Sequence, residues 1–216
     1  SFKIIAASSL LEEKAVRPDE KFYCENGEYK WYGHTYHDHT PHGWLAFRDV
    51  IKYSSNIGTM KAAQKLGPDR LYKYIKKFGF GEKTGIELPG EINGVTTHPS
   101  TWSKLSLCSI SMGQEVTVTA LQLSRAIAVL ANGGNLVTPR IVETIEDRTG
   151  HVIKKFETKK PQRIISEETA KEMRDILRGV VDSGTAEMAD VDGYFPAGKT
   201  GTAQKVEPNG AYSHSK

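Results

Sequence analysis

Residues 197–205 read Ala197-Gly198-Lys199-Thr200-Gly201-Thr202-Ala203-Gln204-Lys205, and the interpretation of the whole chain depends on this stretch. Small and hydroxylated residues around one lysine predict an extended strand, on which successive side chains point to opposite faces. Lys199 and Gly201 would share one face, Thr200 and Thr202 the other, and Gly201 would let a ligand backbone approach closely. Such a strand would suit an anionic ligand, although a surface strand with a chance lysine has the same pattern.

A second copy of the Lys-Thr-Gly triplet lies at residues 83–85. It follows Phe-Gly-Phe-Gly at 78–81 and precedes Leu-Pro-Gly at 88–90, and these flanking residues are typical of turns rather than strands. We therefore interpret the first copy as part of a loop and assign the function to the second copy. The flanking sequence decides this choice, because the triplet alone does not.

The composition is that of an ordinary globular protein, with 216 residues of which 38% are hydrophobic and 25% are charged. A net charge of +3 and the lack of basic runs interleaved with aromatic residues argue against a nucleic-acid partner. Two cysteines provide neither a disulfide framework nor a paired metal motif. No apolar run is long enough to span a bilayer, and Arg125 interrupts the best candidate. The first residue is not methionine, so we expect the chain to be a piece of a longer protein.

Hydrophobic periodicity, caps and turn residues predict a mainly helical chain with one β-hairpin. The predicted helices span residues 2–11, 45–51, 57–66, 68–78, 120–131 and 167–181, and the hairpin strands span 140–146 and 151–156. The first helix is apolar nearly all round and carries Lys3, a costly residue there unless it is paired or used. Residues 17–43 and 81–99 are predicted to be polar, turn-rich loops.

The histidine-rich part of the first loop, residues 34–42, contains four histidines and one aspartate. These are good zinc ligands, but their spacing matches neither a helical nor a tetrahedral template. We therefore favour a polar loop over a metal site and expect no cofactor.

Three separate features could form one site: Lys3 near the start of a buried helix, Ser54 and Asn56 between two helices, and residues 199–201 on a late strand. Each has an ordinary structural explanation when taken alone. Lys3 could extend its amine to the surface, Ser54 could be a helix cap, and Lys199 could be a surface charge.

In this order the three features resemble the Ser-x-x-Lys, Ser-x-Asn and Lys-Thr/Ser-Gly motifs of penicillin-recognising serine enzymes. Further stretches extend the resemblance along nearly the whole chain: Phe-Gly-Phe-Gly at 78–81, Ile-Glu-Leu-Pro-Gly-Glu at 86–91, Ser-Met-Gly-Gln at 111–114, Gly-Thr-Ala at 184–186 and Gly-Lys-Thr-Gly-Thr-Ala-Gln at 198–204. Together they resemble class B penicillin-binding proteins, the monofunctional peptidoglycan D,D-transpeptidases. The resemblance implies an α+β, β-lactamase/D,D-peptidase-like transpeptidase fold. We expect residues 1–135 to form a helical lobe, 136–165 a β-hairpin and linker, and 166–216 a helix plus the active-site strand.

The resemblance also implies roles for these residues in acyl transfer through a serine. Lys3 would be the base for the nucleophilic serine, Ser54 would relay a proton to the leaving amine, and Asn56 would orient the substrate peptide. Lys199 would supply a positive field for the substrate carboxylate, which the hydroxyls of Thr200 and Thr202 would bind. The backbone N–H of Thr202 would form half of the oxyanion hole beside Gly201.

One departure from the family pattern concerns the nucleophile. Counting back three residues from Lys3 places it one residue before Ser1, and Ser1 cannot replace it because position 4 is isoleucine. We therefore expect the 216-residue chain alone to be inactive, and the parent enzyme to cross-link D-Ala-D-Ala stem peptides and to bind penicillin covalently.

Two alternatives to a transpeptidase remain open. The first is a serine β-lactamase or D,D-carboxypeptidase, which uses water as the acceptor, and the second is a non-catalytic β-lactam sensor. The resemblance implies peptidoglycan stem peptides, β-lactams and the cell-wall and division machinery as partners. It also implies the extracytoplasmic face of the bacterial cytoplasmic membrane as the location, with an anchor that is not in this chain.

Overall fold

The first helix, α1 (Lys3–Glu12), lies at the centre of the chain in a computed structural model that describes residues 2–201. Eight of its ten residues, Lys3 to Leu10, are buried. Its buried Ser8 and Ser9 hydroxyls donate to the carbonyls of Ile4 and Ile5, so the two hydroxyls remain paired inside the core. Burial on nearly all sides explains why this helix has no polar face.

Six further α-helices surround or extend from α1 within the described residues. They are α2 (Phe47–Lys52), α3 (Asn56–Leu66), α4 (Pro68–Lys77), α5 (Ser106–Met112), α6 (Ala120–Ala131) and α7 (Glu167–Ser183). Helices α2, α3, α4, α5 and α7 all contact α1. Short 3-10 helices form at Glu25–Gly27, Pro99–Thr101 and Glu187–Ala189. The predicted helices are thus present, with ends that differ by one or two residues.

Side-chain caps fix the starts of two helices as the sequence predicts. Thr119 accepts from the backbone N–H of Gln122, and the Gln122 side chain accepts from the N–H of Thr119, which completes a capping box for α6. Ser166 caps α7 by accepting from the N–H of Thr169. Glu167 and Glu168 lie in the first turn of α7, where the helix dipole favours negative charge.

Eight short strands form four antiparallel pairs in the described part of the chain. They are β1 (Lys21–Tyr23) with β4 (Trp44–Ala46), β2 (Glu28–Trp31) with β3 (His34–His37), β5 (Asn135–Leu136) with β8 (Gln162–Arg163), and β6 (Thr144–Glu146) with β7 (Val152–Lys155). The β6–β7 pair is the predicted hairpin, with shorter strands. Helices and small antiparallel sheets together give an α+β architecture.

The prediction of a polar loop over residues 17–43, including the histidine-rich stretch 34–42, was wrong. This region contains β1, β2 and β3, and residue pairs such as Tyr29 with Tyr36 lie opposite each other in the β2–β3 hairpin. Tyr32 and Gly33 turn the chain between the two strands with positive φ angles of 46° and 78°. A two-residue turn of this kind matches strand twist. The Asn26-Gly27 dipeptide, which is typical of hairpin turns, lies in a 3-10 helix instead.

The strand predicted around Lys199 is also not observed in the described residues. Residues 194–201 form neither helix nor strand, and they lie against α7. The N–H of Gly198 donates to the carbonyl of Leu177 (3.2 Å), and Arg178 Nη1 donates to the carbonyl of Pro196 (3.0 Å). A strand needs a neighbouring strand for its backbone hydrogen bonds, and here a helix supplies the partners. Thr202, for which we predicted a substrate contact, lies outside the described residues.

None of the helices in residues 2–201 combines the length and the apolar character needed to cross a membrane.

Candidate active site

The amine of Lys3 lies at the centre of the site, although its residue is only 6% exposed. Its Nζ lies 2.6 Å from the backbone carbonyl of Ser54, 3.1 Å from Ser54 Oγ and 2.8 Å from Asn56 Oδ1. An unpaired lysine at this depth would strongly destabilise the fold. Three oxygen partners, two from Ser54 in the turn between α2 and α3 and one from Asn56 at the start of α3, satisfy the amine and connect the two predicted motifs.

The turn between α2 and α3 holds Ser54 in an unusual backbone conformation. Its φ angle is +60°, in the left-handed region, where non-glycine residues are uncommon. The N–H groups of Ser54 and Ser55 donate to the carbonyls of Ile51 and Val50, which closes the turn. Strained residues of this kind cluster at functional sites when the surrounding structure holds them in place.

The side chain of Asn56 has a fixed orientation. Its Nδ2 donates to the carbonyl of His37 at 2.8 Å, so Oδ1 must be the atom that faces Lys3. Its backbone N–H donates to Asp38 Oδ1 at 2.5 Å. The end of strand β3 thus orients the amide that accepts from the lysine.

Burial lowers the pKa of Lys3 from 10.5 to about 7. Desolvation is the main cause, because a charged amine is poorly stabilised away from water. The positive charge of Lys199 lowers the pKa further, whereas the negative charge of Asp38 raises it. A lysine with this pKa has a substantial neutral fraction near neutral pH and can accept a proton there.

The three partners of Lys3 differ in what they can do when the amine is neutral. The carbonyl of Ser54 and Oδ1 of Asn56 can only accept hydrogen bonds, so they take the two remaining N–H groups. The hydroxyl of Ser54 can either accept or donate, and it can turn its proton towards the nitrogen lone pair. Ser54 Oγ is therefore the partner through which a proton can move to or from Lys3.

Lys199 supplies a second amine with a lowered pKa. Burial lowers its pKa from 10.5 to about 8, so it remains mostly protonated at neutral pH. Its Nζ lies 3.0 Å from Oγ1 of Thr200, and that hydroxyl lies 3.0 Å from Oγ1 of Thr185. The turn at 184–189 and Thr200 line an open hollow of about 540 Å³ beside these hydroxyls.

The structure thus brings together five of the residues that the sequence predicted for the site. Lys3, Ser54 and Asn56 are in direct contact, Lys199 is close enough to act on the pKa of Lys3, and Thr200 contacts Lys199. Gly201 follows directly and ends the described part of the chain.

The first Lys-Thr-Gly copy lies in a loop, as predicted. The carboxylate of Glu91 accepts from the backbone N–H and the hydroxyl of Thr84 and from the N–H of Gly85. These bonds hold the pKa of Glu91 below its ordinary value. The triplet here is tied down by its own loop, with Thr84 buried and Lys83 exposed.

The family model of the penicillin-binding protein transpeptidase domain matches residues 1–216. The chain belongs to this family. Penicillin-binding protein PbpB of Mycobacterium tuberculosis is 36% identical over 217 residues, which cover 95% of this chain and 31% of the relative. Stage V sporulation protein D of Bacillus subtilis is 38% identical over 210 residues, covering 96% of this chain and 32% of that protein. This transpeptidase domain chain therefore spans about a third of the length of these curated relatives.

Solved structures show the same fold. The structure of penicillin binding protein 3 from Mycobacterium tuberculosis complexed with aztreonam superimposes with a TM-score of 0.90 at 35% identity, covering 99% of this chain and 49% of that one. Its form complexed with ampicillin gives a TM-score of 0.91, also at 35% identity, with the same coverage. The described helices and small sheets are thus part of a penicillin-binding protein transpeptidase fold.

Three of the four histidines at 34–42 have separate partners in this transpeptidase domain. The ring of His34 lies edge-on to Tyr36, His37 lies 3.9 Å from a Glu28 oxygen, and His42 stacks on Tyr53. In the part of the chain that the structure describes, no three metal-ligating side chains come together.

Sequence reasoning missed two further residues of this transpeptidase domain. Asp38 was considered only as a zinc ligand, yet it binds the start of α3, 18 residues further along the chain. Arg178 was considered only as part of a helix, yet it holds the carbonyl of Pro196 and so anchors the segment that carries Lys199. Spacing in the sequence gives no signal for either contact, because the folding of β3 and α7 creates both.

Proposed function

We propose that this chain is the central part of a serine D,D-transpeptidase that cross-links peptidoglycan stem peptides. The observation that carries the proposal is the contact of a buried lysine, with a pKa of about 7, with Ser54 Oγ and Asn56 Oδ1. Relatives named peptidoglycan D,D-transpeptidase, such as MrdA of Acinetobacter baumannii at 32% identity over 174 residues, support it.

The nucleophile of the parent enzyme would be a serine one residue before Ser1. Positions i and i+3 of a helix share a face, so this serine and Lys3 would project into the same cleft. Its Oγ attacks the carbonyl carbon of the penultimate D-Ala, and its proton passes to neutral Lys3. The C–N bond to the terminal D-Ala then breaks, and Ser54 relays the proton to the leaving nitrogen. The amine of a neighbouring stem then attacks the acyl-serine ester, forms the cross-link and frees the serine.

Five residues would position the donor peptide. Asn56, held by His37, would accept or donate a hydrogen bond to the substrate peptide. Lys199 and Thr200 would bind the terminal carboxylate through charge and hydroxyl, and Thr202 would add a second hydroxyl and an oxyanion-hole N–H. Gly201 would let the peptide backbone approach this segment.

The same site would bind β-lactams covalently, because their strained amide presents the same carbonyl and carboxylate. The solved neighbours in complex with aztreonam and ampicillin support this expectation. We further propose that the parent protein acts on the extracytoplasmic face of the cytoplasmic membrane with cell-wall synthesis and division proteins.

The extended protein, with its native sequence on both sides of residues 1–216, provides the test. It is incubated with a stem pentapeptide ending in D-Ala-D-Ala and with an amine acceptor, and products are separated by mass spectrometry. We expect D-Ala release together with a peptide–amine product, and a loss of about 10²-fold or more with Lys3→Met, since a general base contributes about 10²–10⁴-fold. Hydrolysed peptide alone would indicate a carboxypeptidase, and release of no D-Ala would indicate a non-catalytic binding domain.

A further inference from the structure

Asp38 makes three short hydrogen bonds with the segment that carries Ser54 and Asn56. Its Oδ1 accepts from the backbone N–H of Asn56 at 2.5 Å and of Ile57 at 3.0 Å, and its Oδ2 accepts from Ser55 Oγ at 2.5 Å. The residue follows strand β3 directly and is half-buried. One carboxylate thus connects the β2–β3 hairpin to the start of α3.

These contacts occur where the backbone most needs support. The first N–H groups of a helix have no partners within the helix, and a carboxylate there is also favoured by the helix dipole. Ser54, immediately before this start, has the left-handed φ of +60°. Ser55 both donates to Asp38 and accepts from the N–H of Gly58, so it couples the carboxylate to the first turn of α3.

The charge of Asp38 also acts on the amine that the turn holds. Burial and two charged residues govern the protonation of Lys3. The residues are the positive Lys199, on the segment that packs against α7, and the negative Asp38, at the end of β3. Lys199 favours the neutral amine, and Asp38 favours the ammonium form. The charge of Asp38 therefore raises the pKa of Lys3, whereas burial and the charge of Lys199 lower it.

We infer that Asp38 is a positioning residue of this site, which clamps the turn that presents Ser54 and Asn56 to Lys3 and balances the charge of Lys199. The expected effect of Asp38 on acylation rests on the proposed transpeptidase function. Its hydrogen bonds to the turn and its effect on the pKa of Lys3 do not depend on that function. The turn and the first residue of α3 supply the three oxygen partners of the amine, so a change at Asp38 reaches the amine through both geometry and charge.

The substitution Asp38→Asn separates charge from shape. The asparagine oxygen can still accept from the N–H groups of Asn56 and Ile57, and its amide can donate to Ser55 Oγ. The negative charge is lost, so the pKa of Lys3 falls further below about 7. Lys3 then stays neutral down to a lower pH, but it is a weaker base, so acylation is slower at pH values where the amine is fully neutral in both proteins.

The experiment follows penicillin acylation of the extended protein against pH for the wild type, D38N and the matched control D69N. Asp69 is an exposed aspartate in the first turn of α4, so D69N removes the same charge from another helix start. We expect the ratio of the D38N rate to the wild-type rate to rise as pH falls from well above 7 to well below it. The D69N ratio should stay constant. A constant D38N ratio would show that Asp38 has no electrostatic role and would overturn the inference.

A second measurement keeps this test separate from that of the proposed function. The pKa of Lys3 is read from its ¹³Cε resonance in lysine-labelled protein, which requires no catalysis. If penicillin fails to acylate the wild type but D38N lowers the pKa of Lys3, the proposed function fails and the charge balance stands. If the wild type is acylated and the pKa is unchanged in D38N, the inference fails alone.

Two further variants test the clamp and replace D38N if it does not fold. D38E and S55A both keep the negative charge while disturbing the contact between Asp38 and Ser55. Each should lower the acylation rate by about tenfold at every pH, because a charge-assisted hydrogen bond is lost. The pH at which the rate rises with the deprotonation of Lys3 should not change. Wild-type acylation rates in both variants would show that the turn needs no clamp.

Discussion

At the scale of single residues, the site depends on a lysine that is buried and yet paired. The amine of Lys3 donates to oxygen atoms of Ser54 and Asn56, and its pKa lies near 7 because burial disfavours the charged form. The sequence predicted that a lysine in an apolar helix must be paired or used. It could not predict the partners, because they lie 51 to 53 residues away and the fold alone brings them together.

The two lysine pKa values predict a bell-shaped pH dependence for acylation of the free enzyme. Lys3 must be neutral to accept a proton, so the rate rises as pH increases through about 7. Lys199 must be charged to attract the substrate carboxylate, so the rate falls as pH increases through about 8. The second-order rate constant for penicillin acylation, measured against pH, checks both limbs.

Lys3→Arg is the matched variant for this profile. Arginine keeps a positive charge at all these pH values, so acylation should be lost across the whole range rather than shifted. If the acylation rate of Lys3→Arg still rose as pH increased through about 7, another group would be the base.

At the scale of elements, the two Lys-Thr-Gly copies differ in the hydrogen bonds that fix the segments carrying them. The second copy follows a segment bonded to α7 through Leu177 and Arg178, and this contact places Lys199 within electrostatic reach of Lys3. The first copy is tied to Glu91 within its own loop. Flanking residues in the sequence correctly predicted a loop for the first copy, whereas the strand predicted for the second copy is not observed in the described residues. The assignment of the site to the second copy stays a prediction.

This difference predicts unequal effects of two matched substitutions in the extended protein. Lys199→Ala should lower penicillin acylation by about 10²-fold or more, because it removes a charge that binds the carboxylate and depresses the pKa of Lys3. Lys83→Ala should leave the rate within about twofold, because a surface substitution of this kind is usually nearly neutral. Stopped-flow acylation with a chromogenic β-lactam measures both. Equal losses, or a larger loss for Lys83→Ala, would show that the site was assigned to the wrong copy.

Local signals predicted the helices well and the strands poorly. The capping box of Thr119 and Gln122 and the Ser166 cap lie where the sequence placed them, because caps depend on neighbours three residues apart. Strands β1 to β4 were missed because each is three or four residues long. The pairing of β2 with β3 depends on a Tyr32-Gly33 turn that carries none of the usual hairpin dipeptides.

At the scale of the whole molecule, α1 is the centre of the fold and also carries Lys3, the proposed base. Helices α2, α3 and α7 pack on it, and they bring the Ser54 turn and the Lys199 segment to the same end. The sequence could predict the family and the fold, because the motifs recur in a fixed order. The division into residues 1–135, 136–165 and 166–216 stays a prediction.

Intact mass after penicillin treatment tests the central claim most directly. It compares the 216-residue chain with the extended protein that restores native sequence at both ends. We predict a mass increase of one whole penicillin on the extended protein only, since ring opening retains every atom and the proposed nucleophile is a serine before Ser1. No adduct on either protein would contradict the transpeptidase assignment, and an adduct on the short chain would contradict the role of Lys3 as the lysine of Ser-x-x-Lys.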